Sequence, residues 1–302
     1  MNAFAANATS RSIAPAAAPA APEQEFSFAQ ADFERVRALI YQRAGISLHA
    51  GKQAMVYSRL SRRLRDTGHR SFGSYLQWLE TNGGASGEAE WQEFVNCLTT
   101  NLTAFFREEH HFHAFADDLK ARGVSNPRIW CNAASTGEEP YSIAIYLLER
   151  WRHIDDYEVE ILSSDIDTTV LAAAERGVYS ARSVANLPKH YLDKYFRRLS
   201  DNEYQISRDL VAAVDFSRVN LSDAADTRRF RDIDVIFCRN LLIYFDDLSR
   251  RLAAEAMYDA LNPGGFVCLG HSESMSRISS LYAVRRFPDA MVYQKPLPGE
   301  RP

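Results

Sequence analysis

The chain has 302 residues, of which 46% are hydrophobic and 25% charged, as expected for a globular protein of about two domains. Its formal net charge of -4 argues against a general nucleic-acid-binding protein, because such proteins neutralise phosphates with an excess of Lys and Arg. The four cysteines contain no CxxC pair, which favours buried, reduced thiols over disulfides or a metal site.

The N-terminal segment, residues 1–25, differs in composition from the rest of the chain. It is rich in Ala and Pro, and Pro15, Pro19 and Pro22 prevent a continuous apolar helix. We interpret this segment as an unstructured tail and not as a signal peptide. No apolar run approaches the roughly 20 residues that cross a bilayer, so a soluble, cytoplasmic protein is predicted.

Residues 26–98 show the hydrophobic periodicity of helices throughout. The predicted helices are one that begins near Phe33 and ends at Gly45, a second at Gln53–Thr67 ended by Gly68, a third around 75–79 and a fourth around 91–98. A glycine-rich turn at 82–87 is expected to separate the last two helices. The segment is therefore predicted to be an all-α N-terminal domain.

Basic residues are concentrated in this helical segment. Residues 35–70 contain nine Lys and Arg residues and one acid, Asp66. At about 100° per residue, four of them are predicted to share one face beside the buried stripe of the second helix: Lys52, Arg59, Arg62 and Arg63. Such charge runs are usually a solvated helix face, and a docking surface for an acidic partner is the alternative.

After residue 98 the pattern changes to alternating strands and helices. Strands are predicted at 128–133, 157–164, 234–238 and 266–270, and helices at 138–151, 168–176 and 247–261. This alternation implies βαβ units and a mostly parallel sheet, with a last strand at 290–294 that could close the edge antiparallel. Residues 179–214 interrupt the alternation, and we interpret them as a small β insertion with short strands around 204–206 and 210–214.

Two loops at predicted strand ends carry candidate ligand-binding residues. The loop at 133–140 follows the first strand, where open α/β sheets bind ligands, but it is not a GxGxxG and its acids Glu138 and Glu139 would repel a pyrophosphate. A ligand with hydroxyls and a cation fits better, although the loop could simply cap a helix. Asp165, at the end of the second strand, is predicted to accept hydrogen bonds from ribose hydroxyls.

Five segments together resemble one protein family. They read NLTAFFRE at 101–108, ASTGEEP at 134–140, DID at 165–167, FCRNLLIYF at 237–245 and GHSE at 270–273. In order and spacing they are similar to the motifs of the CheR family of chemotaxis methyltransferases, over about residues 26–295. The resemblance implies an all-α N-terminal domain at 26–98 and a Rossmann-like S-adenosylmethionine-dependent methyltransferase domain at 99–296. It also implies a β subdomain insertion at 179–214, with a short tail at 297–302.

The family resemblance also implies a function. The chain is expected to transfer a methyl group from S-adenosylmethionine to glutamate side chains of chemotaxis receptors, giving glutamate methyl esters for sensory adaptation and S-adenosylhomocysteine as product. By the same resemblance, the cofactor is lined by Asn101, Thr103, Arg107, Glu138, Asp165, Asn220, Leu221, Arg239 and Asn240. Arg107 and Tyr244 are expected to face the methyl-transfer centre. Arg107 could bind either the substrate's carboxylate or that of the cofactor.

The chemistry itself makes modest demands on the protein. A glutamate side chain with a pKa of about 4.3 is already ionised at neutral pH, so no general base is required. The enzyme must align the reacting atoms and remove water from the carboxylate. A non-catalytic S-adenosylmethionine-sensing module is the alternative function, whereas the missing GxGxxG argues against a nicotinamide-dependent oxidoreductase.

The remaining expectations concern partners, a metal site and two core residues. The predicted partner is the cytoplasmic helical domain of a chemotaxis receptor, docked by the basic face, with no nucleic acid, no membrane insertion and a monomeric chain. The short turn at 199–203 predicts no dependence on a receptor C-terminal pentapeptide. No metal is expected: His110, His111 and His113 are interpreted as scattered helix residues. Phe105 and Phe106 are interpreted as core.

Overall fold

The computed structural model describes residues 25–302, so the predicted Ala- and Pro-rich tail lies outside the described residues apart from Glu25. The chain begins with four helices: α1 Gln30–Ala44, α2 Gln53–Thr67, α3 Phe72–Thr81 and α4 Gly84–Leu98. Gly45 and Gly68 end α1 and α2 in the left-handed conformation, at φ 67° and 74°. Glycine adopts this conformation at little cost, so the two helix ends agree with the sequence prediction.

The predicted turn at 82–87 is wrong in its second half, because α4 begins at Gly84. The apolar face of α4 extends the helix, with Trp91, Phe94 and Leu98 buried in the core. Gly87 lies on this added turn, and a Cβ there would sit 2.0 Å from the carbonyl oxygen of Asn82. Gly87 therefore allows close packing against Asn82 and does not stop the helix.

The rest of the chain contains ten strands within the described residues. They are β1 Arg128–Cys131, β2 Glu160–Asp165, β3 Val178–Ser180, β4 Phe196–Arg198, β5 Glu203–Ile206, β6 Val214–Arg218, β7 Ile233–Cys238, β8 Leu261–Leu269, β9 Ala283–Arg286 and β10 Met291–Gln294. Seven of them form one sheet in the order β6-β2-β1-β7-β8-β10-β9, in which the first five strands pair in parallel and β10 runs antiparallel to both of its neighbours, β8 and β9. The other three form a small antiparallel sheet in the order β3-β5-β4.

Helices connect these strands. They are α5 His110–Arg122, α6 Glu138–Arg150, α7 Thr168–Arg176, α8 Ala181–Val184, α9 Lys189–Tyr195, α10 Arg208–Ala212, α11 Ala224–Thr227 and α12 Asp247–Ala260. The predicted fold class is confirmed: an all-α N-terminal domain precedes a Rossmann-like domain with a small β insertion. Among residues 25–302, no helix combines the length and apolarity that crossing a membrane requires.

Two strand predictions are wrong. Residues 210–214 do not form a strand of the insertion, because α10 continues to Ala212 and Val214 begins β6 in the large sheet. The hydroxyl of Ser207 caps α10 by accepting from the backbone N–H of Leu210 at 3.3 Å, which favours helix there. The antiparallel edge is β9, not β10, which lies between β8 and β9. β9 was missed because its four residues alternate only between exposed and half-buried positions.

The large sheet separates two hydrophobic cores. Along β1, Trp130 belongs to one core and Ile129 to the other, because successive strand residues point to opposite faces. The first core also contains α1–α4 and α12, so the N-terminal helices and one sheet face share a continuous apolar interior. An antiparallel bridge between Ile46 and Phe245 joins the segment after α1 to the loop after β7. The N-terminal domain is thereby fixed beside the carboxyl ends of the parallel strands.

Candidate active site

A cleft of about 440 Å³ opens at the carboxyl ends of the parallel strands. Its floor consists of the residues that directly follow β1, β2, β6 and β7, and its opposite wall is the segment after α1, including Ile46, His49 and Lys52. The volume lies within the range of small-molecule sites. The predicted site residues that line it are Lys52, Asn101, Thr103, Arg107, Asp165, Asn220, Leu221, Arg239, Asn240 and Tyr244. The wall from the N-terminal domain was not predicted from the sequence.

Asp165 presents a half-buried carboxylate to the cleft. Its Oδ2 accepts from the backbone N–H of Ser135 at 2.9 Å and its Oδ1 from that of Asp167 at 3.0 Å. Burial raises the pKa of Asp165 to about 6, against the lowering effect of these donors. A carboxylate has about four lone-pair sites, so two acceptor positions remain for hydroxyl groups of a ligand.

Asn132 is a cleft residue that the sequence reasoning missed. Its side chain is buried, and apart from the thiol of Cys238, a weak partner, neither its amide oxygen nor its nitrogen has a hydrogen-bond partner among residues 25–302. A buried amide without partners costs roughly 1–3 kcal/mol, so a polar ligand is expected to satisfy it. Asn132 and Asp165 together fit a nucleoside cofactor that carries hydroxyls and amine groups. The only available sequence signal was the position of Asn132 directly after the first parallel strand.

The Glu138 side chain, which is predicted to contact the cofactor, is not among the side chains that line this cleft. The Glu138 side chain is buried and accepts from the Thr136 hydroxyl at 2.6 Å, and burial raises its pKa. Its neighbour Glu139 lines the cleft instead. Adjacent helix residues point about 100° apart, and the start of α6 after Gly137 turns Glu139 inward.

Arg239 lines the cleft, but its guanidinium is committed to the protein. It forms a buried ion pair with Glu139 and also donates to the backbone carbonyl oxygens of Arg107 and Glu108. Because these carbonyls belong to the loop that carries Arg107, Arg239 braces that loop. The sequence predicted Arg239 as a site residue but did not indicate that Glu139 is its counterion.

Asn240 is held by Glu273 of the GHSE segment. The Asn240 backbone has a φ of 59° and donates its N–H to Glu273 Oε2 at 2.7 Å, and Gly270 donates to the same oxygen at 2.9 Å. The pKa of Glu273 is raised by burial. Glu273, to which the sequence reasoning gave no role, therefore fixes the loop between Arg239 and Tyr244.

Two predicted cofactor residues use their side-chain amides within the protein. Asn101 donates to Asp167 Oδ2 at 2.7 Å, and Asn220 donates to the Arg43 carbonyl oxygen at 2.8 Å. Both residues lie at the cleft, together with Thr103 and Leu221. Because the amide nitrogens of Asn101 and Asn220 are already engaged, these two residues shape the cleft wall through packing and backbone groups.

Arg107 and Tyr244 lie at the same cleft, as predicted. The Arg107 guanidinium is 30% exposed, donates to the Leu102 carbonyl oxygen at 3.1 Å and lies 4.0 Å from a Glu108 carboxylate oxygen. The Tyr244 carbonyl oxygen accepts from the backbone N–H of Ser47 at 2.8 Å, which ties its loop to the N-terminal domain. A partly exposed guanidinium and a phenol at one cleft can bind a carboxylate from solution.

The predicted basic face is not a single free surface. Arg63 forms an ion pair with Glu90, at 3.0 Å in one contact, and its side chain is only 17% exposed. Arg59 donates to the carbonyl oxygens of Thr99 and Cys97 at the end of α4. Arg59 and Arg63 therefore hold α2 against α4, since the buried Glu90 needs a cation, and these contacts occupy their guanidinium groups. Arg62, with an 80% exposed side chain, and Lys52 at the cleft remain.

Comparison with known proteins agrees with this organisation. Two family models match the chain: "CheR methyltransferase, all-alpha domain" at residues 31–99 and "CheR methyltransferase, SAM binding domain" at residues 101–289. Chemotaxis protein methyltransferase 2 of Vibrio cholerae is 45% identical over 281 residues, which cover 91% of this chain and 96% of the relative.

Two further relatives are similar over most of their length. Chemotaxis protein methyltransferase 2 of Pseudomonas aeruginosa is 43% identical over 269 residues, covering 87% of this chain and 93% of the relative. The chemotaxis protein methyltransferase of Escherichia coli is 41% identical over 272 residues, covering 87% of this chain and 91% of the relative.

Proposed function

The chain belongs to the CheR methyltransferase family, with S-adenosylmethionine as its cofactor, and we propose that it methylates glutamate side chains of chemotaxis receptors. The observation that supports this most is the cleft, which is lined by a half-buried carboxylate, an unpartnered amide, a partly exposed arginine and a tyrosine. The relatives named as chemotaxis methyltransferases support the choice of receptor as substrate.

We propose that the floor of the cleft holds the nucleoside part of the cofactor. The remaining acceptor positions of Asp165 would bind ribose hydroxyls, and the Asn132 amide would bind a second polar group. When bound, S-adenosylmethionine supplies a methyl group activated by a sulfonium. The ion pair between Arg239 and Glu139 helps to hold the loop that carries Arg107. The Glu273 carboxylate holds the loop between Arg239 and Tyr244.

The proposed contribution of the protein to methyl transfer is positioning. The receptor glutamate is ionised at neutral pH, so the chain needs to orient its oxygen and exclude water. Arg107 can bind a carboxylate bidentately, and the Tyr244 hydroxyl can hold one of its oxygens. Whether Arg107 binds the receptor's carboxylate or the cofactor's is tested by the kinetic effect of its replacement, described in the Discussion.

The proposed docking surface on the N-terminal domain consists of Lys52 and Arg62. Lys52 lines the cleft and Arg62 is exposed further along α2, and cations on this domain would attract the acidic methylation region of a receptor. The turn between β4 and β5 is short, spanning 199–202, which supports independence from a receptor C-terminal pentapeptide. We further propose that the protein acts in the cytoplasm as a monomer, without nucleic acid or membrane insertion.

The test is to incubate the protein with methyl-labelled cofactor and a receptor cytoplasmic fragment, and to measure cofactor binding by calorimetry in parallel. Label in the receptor fragment supports the proposal. Tight cofactor binding with no transfer to any receptor fragment would instead favour the non-catalytic sensing module.

A further inference from the structure

We propose that Glu108, His110 and His111 form a binding site for a divalent transition-metal ion, with zinc as the representative ion. The three side chains lie at the start of α5, and one potential ligand atom from each lies within 4.8 Å of the others. The site adjoins the proposed cofactor cleft, since Arg107 lies 4.0 Å from Glu108 Oε1, but zinc binding there does not depend on the proposed function. It revises the sequence interpretation of these histidines as scattered helix residues.

Two buried ligand atoms in this cluster lack hydrogen-bond partners. His111 is 3% exposed, and neither its Nδ1 nor Glu108 Oε2 has a hydrogen-bond partner among residues 25–302. The two atoms are 3.9 Å apart, too far for a hydrogen bond and close enough to share an ion. Leaving both atoms buried and unpaired costs free energy, which a metal ion would recover.

His271 extends the cluster from a second loop. Its Nδ1 lies 3.2 Å from Glu108 Oε1, and its side chain is 74% exposed. It can orient the carboxylate from behind or turn to supply a further ligand. An ion here would link the loop that carries Arg107 to the loop that carries Glu273, on the two sides of Arg239.

Two features oppose metal binding and set its limits. Ligand atoms bound about 2.0–2.2 Å from a tetrahedral zinc lie about 3.3–3.6 Å apart, so the present separations of up to 4.8 Å must shrink by about 1 Å on binding. His110 is half-buried and can move, whereas His111 is the fixed anchor. The positive charge of Arg239 disfavours a second cation nearby, but its ion pair with Glu139 offsets that charge. The remaining charges at the cluster are the carboxylate of Glu108 and the guanidinium of Arg107, which lies 4.0 Å from Glu108 Oε1.

The experiment uses the full-length protein without a histidine tag. After treatment with a chelator and exchange into metal-free buffer, zinc is titrated by calorimetry, bound zinc is measured by mass spectrometry, and thermal unfolding is followed with and without zinc. The wild type is expected to saturate at one zinc per chain and to unfold at higher temperature when loaded. Replacing a residue that only orients a metal ligand typically weakens metal binding by about 10- to 100-fold. His110 is proposed to bind the ion itself, so His110→Ala should weaken zinc binding by at least about tenfold.

His113→Gln is the matched control, because His113 lies on the same helix but its Nδ1 already pairs with the Tyr146 hydroxyl at 2.8 Å. This variant should bind zinc as the wild type does. Glu108→Gln should weaken binding, and the half-buried His110 provides a test even if replacement of the buried His111 prevents folding. The proposal is overturned if the wild type takes up no zinc, or if His113→Gln loses as much affinity as His110→Ala.

Discussion

Replacing Asp165 with asparagine is expected to weaken cofactor binding by about 10- to 150-fold, because a hydrogen bond to a charged acceptor contributes roughly 1.5–3 kcal/mol. Asparagine keeps one acceptor oxygen and places an N–H₂ group where the second oxygen was. Since both oxygens of Asp165 already accept a backbone N–H, that N–H₂ group would face a donor from Ser135 or Asp167. One backbone donor is then unsatisfied, which should cost roughly 1–3 kcal/mol of stability.

Calorimetric titration with S-adenosylhomocysteine measures the affinity, and thermal unfolding shows that the variant remains folded. Asp201→Asn is the control: its side chain is 95% exposed in the turn between β4 and β5, and it should change neither quantity. If folded Asp165→Asn bound the product as tightly as the wild type, Asp165 would not be the ribose acceptor, and the orientation proposed for the cofactor would be incorrect.

Three further predictions follow from the same geometry. The pKa of Asp165 is raised to about 6, and only the ionised carboxylate accepts hydrogen bonds from two hydroxyls. Cofactor affinity should therefore fall as the pH drops below about 6, approaching about a tenfold loss per pH unit well below the pKa. Asp165→Asn should lack this pH dependence when its cofactor affinity is titrated at the same pH values. Arg107→Ala should reduce methyl transfer without unfolding the protein, and Arg107→Lys should restore little activity, because an ammonium group cannot replace the planar guanidinium. A raised KM for receptor alone would indicate that Arg107 binds the substrate, and a raised KM for cofactor alone would indicate that it binds the cofactor. Normal kinetics would show that it binds neither. Replacing Lys52 and Arg62 with Glu should raise KM for receptor and reduce the salt dependence of that KM, while cofactor affinity stays unchanged. Equal receptor kinetics for this variant and the wild type across a salt series would leave the basic residues as a solvated surface. Arg63→Glu should instead lower the free energy of unfolding by about 3 kcal/mol, as measured by thermal unfolding.

The sequence predicted those features of the fold that depend on local chemistry. α2 has the predicted bounds because Gly68 ends it in a left-handed conformation that other residues adopt at a cost. Asp165 lies at the cleft because the carboxyl ends of parallel strands meet at one edge of a sheet. Both inferences required only the order of residues within one or two neighbouring elements.

The features that were missed depend on contacts between distant segments. The counterion of Arg63 is Glu90, 27 residues away, so a free basic face and a paired one look the same in sequence. Ile46 pairs with Phe245, and no local pattern indicates that this segment closes the cleft. Glu138 and Glu139 are adjacent and chemically alike, and only the orientation of α6 on the sheet decides which of them lines the cleft.

The chemical nature of the methylated product is the most direct measurement of the proposed reaction. A receptor cytoplasmic fragment labelled by the protein from S-adenosylmethionine should release its label as volatile methanol in mild alkali, since methyl esters hydrolyse there. Peptide mapping should place the methyl groups on glutamate side chains, and replacing those glutamates with alanine in the receptor should abolish labelling. Alkali-stable label, or label that persists after the mapped glutamates are replaced, would contradict methyl-ester formation on receptor glutamates.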